Sequence, residues 1–240
     1  MGCQCQGGEQ PNQEINSDKN NQDKKDYYYL INELNKPNSN IGYENLNGLS
    51  SKENNFRNGK NQLLNEPQEP QDKFSKYIFG QINKLRQNPQ SFIDMIENAK
   101  KNIKIEKGIK IYKSSVKVAL SKGESAFDDA IEILKNTEPM DKLIYNPNFV
   151  VEPPKTVYDI LTGDYINKSV KAKIDSGIDI KSFWRDLVRD PETCLILTIV
   201  DDTGKNGGKK RDDILDRSNK FIGISSVQIG KSFSSYIVLG

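Results

Sequence analysis

Residues 194–239 decide how this chain is read. Cys194-Leu195-Ile196-Leu197-Thr198-Ile199-Val200 is an apolar run with no polar face, as a buried element requires. Asp201-Asp202-Thr203-Gly204-Lys205-Asn206-Gly207-Gly208 follows as a polar, glycine-rich loop, and Lys209-Lys210-Arg211-Asp212-Asp213-Ile214-Leu215 leads out of it. Phe221-Ile222-Gly223-Ile224-Ser225 and Tyr236-Ile237-Val238-Leu239, with Gly230 and serines between them, have the composition of an antiparallel strand pair.

Upstream of that stretch the periodicity is helical. Phe74, Ile78, Ile82 and Leu85 fall on one face, as do Phe92, Ile96, Ala99 and Ile103, and Asn88-Pro89 supplies an N-cap and a proline at N1 where the two helices meet. Gly108-Ile109-Lys110-Ile111-Tyr112 alternates like a strand. Phe127, Ile131 and Leu134 mark a third helix, and the spacing of Trp184, Leu187 and Val188 predicts another. Helices interleaved with a few strands place residues 71–240 in the α/β class.

Residues 1–70 differ. They hold 22 Asn and Gln and few paired apolar positions, a composition that cannot offset the entropy of ordering a backbone, so a disordered tail is expected. Tyr27-Tyr28-Tyr29-Leu30-Ile31-Asn32-Glu33-Leu34 is an apolar island in it, either a docking segment or a transient helix with no role. Over all 240 residues the mean hydropathy is −0.72. The net charge is only +2, which gives no reason to expect a nucleic-acid partner. No apolar run is long enough to span a bilayer and the N-terminus has no signal-peptide core, so the protein is not expected to be secreted. Three cysteines, two of them at positions 3 and 5, make no disulfide framework and fit a reducing compartment.

The order of the segments from 194 to 239 resembles the closing motif of the CAP superfamily (cysteine-rich secretory, antigen 5 and pathogenesis-related 1 proteins). That family shows an apolar run, "DDG", a loop, "GHRxNIL" and a final strand pair. The resemblance continues upstream: residues 82–89 are similar to "xNxxRxxP", residues 122–134 to "EGxxAxxEAIxFL", and residues 139–149 to "PLxPLxxNxxL". It implies an α/β/α sandwich. It also puts Arg211 on the motif's arginine and Lys210 where its histidine stands, and the chain contains no histidine. The family's centre, two histidines and two acidic residues able to hold a divalent metal, cannot be assembled here, because an ammonium repels a cation. Val150-Val151-Glu152-Pro153-Pro154 replaces a helix that bears the second family histidine, and no glutamate lies near Ile180–Asp186, where the motif carries one.

Without histidine, Ser–His–Asp and Cys–His chemistry is excluded. A Ser–Lys arrangement among Ser225, Ser226 and Lys210, or a carboxylate pair at Asp201-Asp202 or Asp212-Asp213 for calcium or acid–base work, remains as an alternative hydrolase reading. Structural roles in turns are the simpler expectation for those pairs. Cys194 reads as a small buried hydrophobe. The lysine-rich run 100–107 reads as a solvated face, or as a basic patch for acidic lipids or a partner. The expected catalytic, cofactor and metal residues are therefore none.

One segment has a direct mechanistic reading. Removal of Met1 exposes Gly2 for N-myristoylation, with Cys3 and Cys5 placed for S-palmitoylation; Gln6 stands where that signal usually has Ser or Thr. A single myristoyl chain binds membranes only marginally, with a constant of about 10⁴ M⁻¹, so a second anchor is required. Residues 1–26 carry three lysines against five carboxylates and cannot supply it by charge, which leaves palmitate. The expectation is a protein on the cytoplasmic face of a membrane, held by N-terminal acyl chains. Its CAP-like domain would bind an unidentified protein or an apolar ligand such as a lipid or sterol, rather than catalyse. A structural component of a membrane-associated or cytoskeletal assembly is a third possibility.

Overall fold

The computed structural model describes residues 68–154, 156–162, 164–203 and 207–240. Gly2, Cys3, Cys5, the tyrosine island and the expected disordered tail as far as residue 67 lie outside them. Residues 68–70, counted with that tail, are described: Pro70 is buried and Glu69 pairs with Lys76. The described chain is a mixed α/β fold, with elements α1 (Lys73–Gln87), a 3₁₀ turn (Pro89–Phe92), α2 (Ile93–Lys100), β1 (Ile103–Glu106), β2 (Ile109–Lys113), β3 (Lys117–Ala119), α3 (Glu124–Asn136), β4 (Ile144–Tyr145), a 3₁₀ turn (Pro147–Phe149), α4 (Val157–Thr162), α5 (Asp164–Asp175), β5 (Ser182–Val188), α6 (Pro191–Val200), α7 (Lys209–Leu215), β6 (Phe221–Ile229) and β7 (Ser232–Leu239).

The main sheet has the order β4-β6-β7-β5, parallel only between β4 and β6. The strand pair expected at the C-terminal end of the motif is β6–β7, in register from Ile222↔Leu239 to Ile229↔Ser232 around Gly230. Because strand side chains alternate, β7 sends Ile237 and Leu239 into one layer and Tyr236 and Val238 into the other. The first layer is built by α1, α2, α3, α6 and α7, whose buried faces include Ile78, Ile82, Phe127, Leu195 and Ile214. The second is closed by Ile166 and Val170 of α5 with Phe149 and Val151. The sheet is thus sandwiched between helices, and β7 is buried on both sides.

The apolar run at 194–200 is the central helix. Asp190 caps it, its side chain accepting from the Thr193 amide at 2.7 Å, and Pro191 occupies the first turn. It packs against α1, α2, α3, α7 and β5, so almost every face is buried and no amphipathic stripe is needed.

Two expectations are corrected. Trp184, Leu187 and Val188 are helically spaced but lie in strand β5, where Trp184 and Val188 face the main core and seven residues pair with β7. Burial alternates from Ser182 to Val188, but it turns Ser182 and Asp186 inward and Phe183 outward, so the sequence shows no apolar alternation and the sheet edge offered by β7 decides against a helix. Ile103 does not extend α2. That helix stops at Lys100, and Ile103 opens a separate antiparallel sheet, β1-β2-β3. Asn88 does precede the proline-led turn, without a side-chain capping bond. After Val151 the chain runs non-helically through Pro153 and Pro154, as two adjacent prolines require.

The deepest polar group is Arg86, in the last turn of α1. Only 1% exposed, it donates Nε–H to the Asp141 carbonyl at 2.7 Å, Nη1 to those of Ile214 at 2.5 Å and Asp216 at 3.0 Å, and Nη2 to that of Asn219 at 3.3 Å. Three residues earlier, one turn back on the same face, Asn83 brackets the backbone of Leu143, donating to its carbonyl at 3.2 Å and accepting its amide at 2.8 Å. The "xNxxRxxP" segment is therefore a clamp on the loops leading to β4 and β6.

Arg86→Met is expected to lower unfolding stability by about 3 kcal/mol or more, because it strands buried carbonyls; urea denaturation reads this as a lower midpoint. Arg86→Lys should recover only part, since one ammonium cannot reach four carbonyls. A Cβ on Gly223 would lie 2.2 Å from the Phe149 carbonyl carbon, a backbone atom, so Gly223→Ala should cost about 1–3 kcal/mol.

Candidate functional site

The first turn of α7 carries Lys210 and Arg211 into the interior. Gly208 makes the entry possible: its φ is +95°, and a Cβ there would come within 2.4 Å of Arg211 Nη2. Arg211, 3% exposed, reaches back to the carbonyl of Ile199 at 3.2 Å and so locks α7 onto the end of α6.

Lys210 points towards β5. Its Nζ lies 2.6 Å from Asp186 Oδ1, with side-chain exposures of 18% and 9%. Thr198 Oγ1 donates to the other carboxylate oxygen at 3.3 Å. Burial disfavours the ammonium, but the charge and hydrogen bond of Asp186, with Asp201 behind them, outweigh it and hold Lys210 above the ordinary lysine value. Lys210 is therefore a fixed cation and no proton acceptor near neutral pH.

Asp201 is equally committed. It ends α6 in the left-handed region (φ +43°), and its carboxylate accepts the Lys210 amide at 2.9 Å and the Thr203 hydroxyl at 3.0 Å. The carboxylate of Asp202 turns the other way and accepts the amides of Lys122 and Gly123, at the start of α3. Asp201 thus makes the local loop hydrogen bonds expected of it, whereas Asp202 does not: its bonds are tertiary, to a segment about 80 residues earlier in the chain. Asp212 and Asp213 do not flank a turn. They lie within α7, each beside a cation: Arg211 at 3.3 Å for Asp212 and Lys209 at 2.7 Å for Asp213. Among the described residues no three His, Cys, Asp or Glu side chains converge to hold a metal ion.

The candidate nucleophiles are placed apart. Ser225 donates to the Val151 carbonyl at 2.5 Å, and Ser226 donates to Asp72, the N-cap of α1, at 2.6 Å. Neither is hydrogen-bonded to Lys210, so the Ser–Lys arrangement is not formed. Cys194 is fully buried with its Sγ 3.5 Å from Ser235 Oγ. Burial, reinforced by the charge of Asp186, pushes its thiol far above the ordinary value, and a thiol held protonated is a poor nucleophile.

Asp186 is the residue that sequence reasoning missed. The motif carries a glutamate in this region and the chain has an aspartate, and a helical spacing over 184–188 conceals that Trp184, Asp186 and Val188 share one face of a strand. Elsewhere, Asn146, Asn148, Phe149, Ile178, Lys181 and Phe221 help to line a depression of about 440 Å³; Lys210, Asp186, Asp201 and Cys194 are not among its lining residues. Comparison with protein-family models, with curated proteins and with solved structures returned no match.

Lys210→Met should leave Asp186 buried beside no cation and lower stability by about 3 kcal/mol, or roughly 6–12 °C in Tm. Adding Asp186→Leu should restore most of the loss, as an ion pair exchanged whole for apolar groups does. The pair's contribution has a definite pH sign. A lysine raised in the folded state stabilises fully below its unfolded value of about 10.4 and loses that contribution only above it. The Tm difference between wild type and Lys210→Met should accordingly stay constant through neutral pH and shrink in strong alkali.

Proposed function

We propose that this protein is a membrane-tethered, non-catalytic binding module whose folded domain is a divergent CAP-like sandwich. The observation that carries the reading is the Lys210–Asp186 pair. Where the resemblance puts a metal-binding histidine, this chain has an ammonium neutralised by a buried carboxylate at 2.6 Å. Cation and carboxylate satisfy each other, so the centre has neither a free base nor a ligand set to offer a substrate. What such a domain retains is surface. The depression beside Phe149, Phe221 and Lys181 has the mix of aromatic walls and polar groups that suits an apolar ligand with a polar end, or a protein side chain.

The tether rests on Gly2, Cys3 and Cys5. Myristate alone is a weak anchor, and palmitate on either cysteine would make attachment stable and reversible. A chain of about 70 residues as flexible as the composition of the N-terminal segment predicts would have a root-mean-square span of roughly 45 Å, enough for the domain to sample partners near the bilayer.

Intact-mass measurement on protein from its native cells, with fractionation of wild type and Gly2→Ala, tests the reading. Myristate and palmitate increments on the wild type, and release of Gly2→Ala to the soluble fraction, are the expected results. An unmodified, soluble wild type would overturn the tether. A hydrolytic activity lost on Asp201→Asn or Asp212→Asn with the fold intact would overturn the non-catalytic assignment.

A further inference from the structure

The outer sheet β1-β2-β3 ends in a hairpin that the functional reading above does not use. Glu106 pairs with Ile109 across a two-residue turn, Lys107-Gly108, and both turn residues have positive φ, +50° and +80°. That combination matches the right-handed twist of the flanking strands, so the tip is a defined projection. Glycine suits its second position because of the φ of +80° and not because of crowding, since a Cβ there would meet no atom within 4 Å.

The side chains on this projection are unusual for a solvated tip. Ile105 is 73% exposed and Ile109 48%. The register pairs Ile105 with Lys110 and Ile109 with Glu106, so the two isoleucines project from opposite faces of the hairpin end. Around them the segment 100–117 holds seven lysines and one carboxylate, in a chain whose total charge is only +2. The one carboxylate, Glu106, is taken by Lys113 and Lys117, and Lys100 pairs with Asp128. Lys104, Lys107 and Lys110 are exposed and make no ion pair with any described residue. A solvated lysine face accounts for these cations; two isoleucines at one hairpin end add apolar area that an apolar boundary would remove from water.

We propose that the β1–β2 hairpin is a membrane-contact tip that enters end-on: Ile105 and Ile109, one on each face of the ribbon, reach the interface of an anionic bilayer while Lys104 and Lys107 lie on its headgroups. Lys110, whose stem packs over Gly123, adds positive charge behind them. Each half of the pattern has its own partner in such a surface. Aliphatic side chains at a convex tip gain from the acyl boundary, and lysine stems can lie along it with their ammonium groups held at the phosphates. A nucleic acid would engage the lysines and leave the isoleucines in water, since they offer no ring on which a base could stack. A flat protein interface needs an extended patch on each side, which a two-residue tip does not provide. The contact goes beyond the N-terminal tether and does not depend on acylation. It supplies on the folded domain the cationic attraction that residues 1–26 lack.

The test uses full-length protein made without acyltransferases, its mass confirming that no acyl chain is present. Flotation is measured with phosphatidylcholine vesicles, with and without about 30% phosphatidylserine. Binding is expected only to the anionic vesicles and should weaken with added salt. Ile105→Ser/Ile109→Ser should weaken it about tenfold or more. Lys104→Glu/Lys107→Glu should weaken it about 25-fold or more, since each lysine near such a surface contributes roughly fivefold. Both pairs are exposed, so circular dichroism should show an unchanged fold. Lys142→Glu/Lys168→Glu alters net charge equally at remote exposed sites and should change binding less than about threefold. Absence of binding to anionic vesicles overturns the proposal. So does an isoleucine variant that binds like wild type, or a remote control that loses as much as the tip variants, either of which would mean diffuse charge attraction. A Gly2 found unmodified in cells would remove the tether and leave this result standing.

Discussion

Arg86 is the constraint around which the domain is organised. A guanidinium cannot give up its proton in a protein, so a side chain only 1% exposed must be met by fixed acceptors. Those acceptors are backbone carbonyls from residues 141, 214, 216 and 219, up to 133 positions away in sequence. Burial lowers its proton affinity while Asp216 and Asp141 work the other way. Because these carbonyls belong to the segment before β4 and to the connection from the end of α7 to β6, the need to satisfy one cation fixes where two segments distant in sequence can lie. Asn83, one helical turn away, fixes the chain just before β4 by the same means.

The Lys210–Asp186 pair follows a different logic. Two opposite charges at a partly buried position are held close to neutral as a unit, and neither side chain can be changed alone without exposing the cost of the other. Asp201 adds a second carboxylate nearby, but its oxygens are spent on the Lys210 amide and on Thr203. A centre of this kind is an architectural joint: it ties β5 to α7 and, through Asp201, to the end of α6.

Some of this was legible in the sequence. The β6–β7 pair could be read because Phe221-Ile222-Gly223-Ile224 and Tyr236-Ile237-Val238-Leu239 are β-rich and separated by turn residues. Helices α1 and α3 could be read because each buries only one face, so the period survives in the sequence. Other elements resist that approach for physical reasons. Helix α6 is buried nearly all round and leaves no period. Trp184, Leu187 and Val188 fit a helical spacing by coincidence, and only pairing with β7 reveals the strand. The Arg86 motif could be recognised as a pattern, yet its partners are carbonyls, which carry no side-chain signature. The Asp186–Lys210 contact is purely tertiary, and an aspartate on a strand gives no sign of the cation it will meet.

The position of β7 also bears on how the domain comes into being. It is the strand against which both β5 and β6 pair, and it is synthesised after them. The carbonyls that Arg86 requires likewise come from chain made long after α1. While the polypeptide emerges from the ribosome, the helical layer therefore waits with its apolar faces uncovered and a cation without its acceptors. Closure depends on contacts distant in sequence, which are slow to form and leave intermediates open to misassembly. The nascent domain should be a natural client for chaperones until the C-terminal hairpin arrives, and a truncation that removes β7 should yield an aggregating chain rather than a smaller folded one.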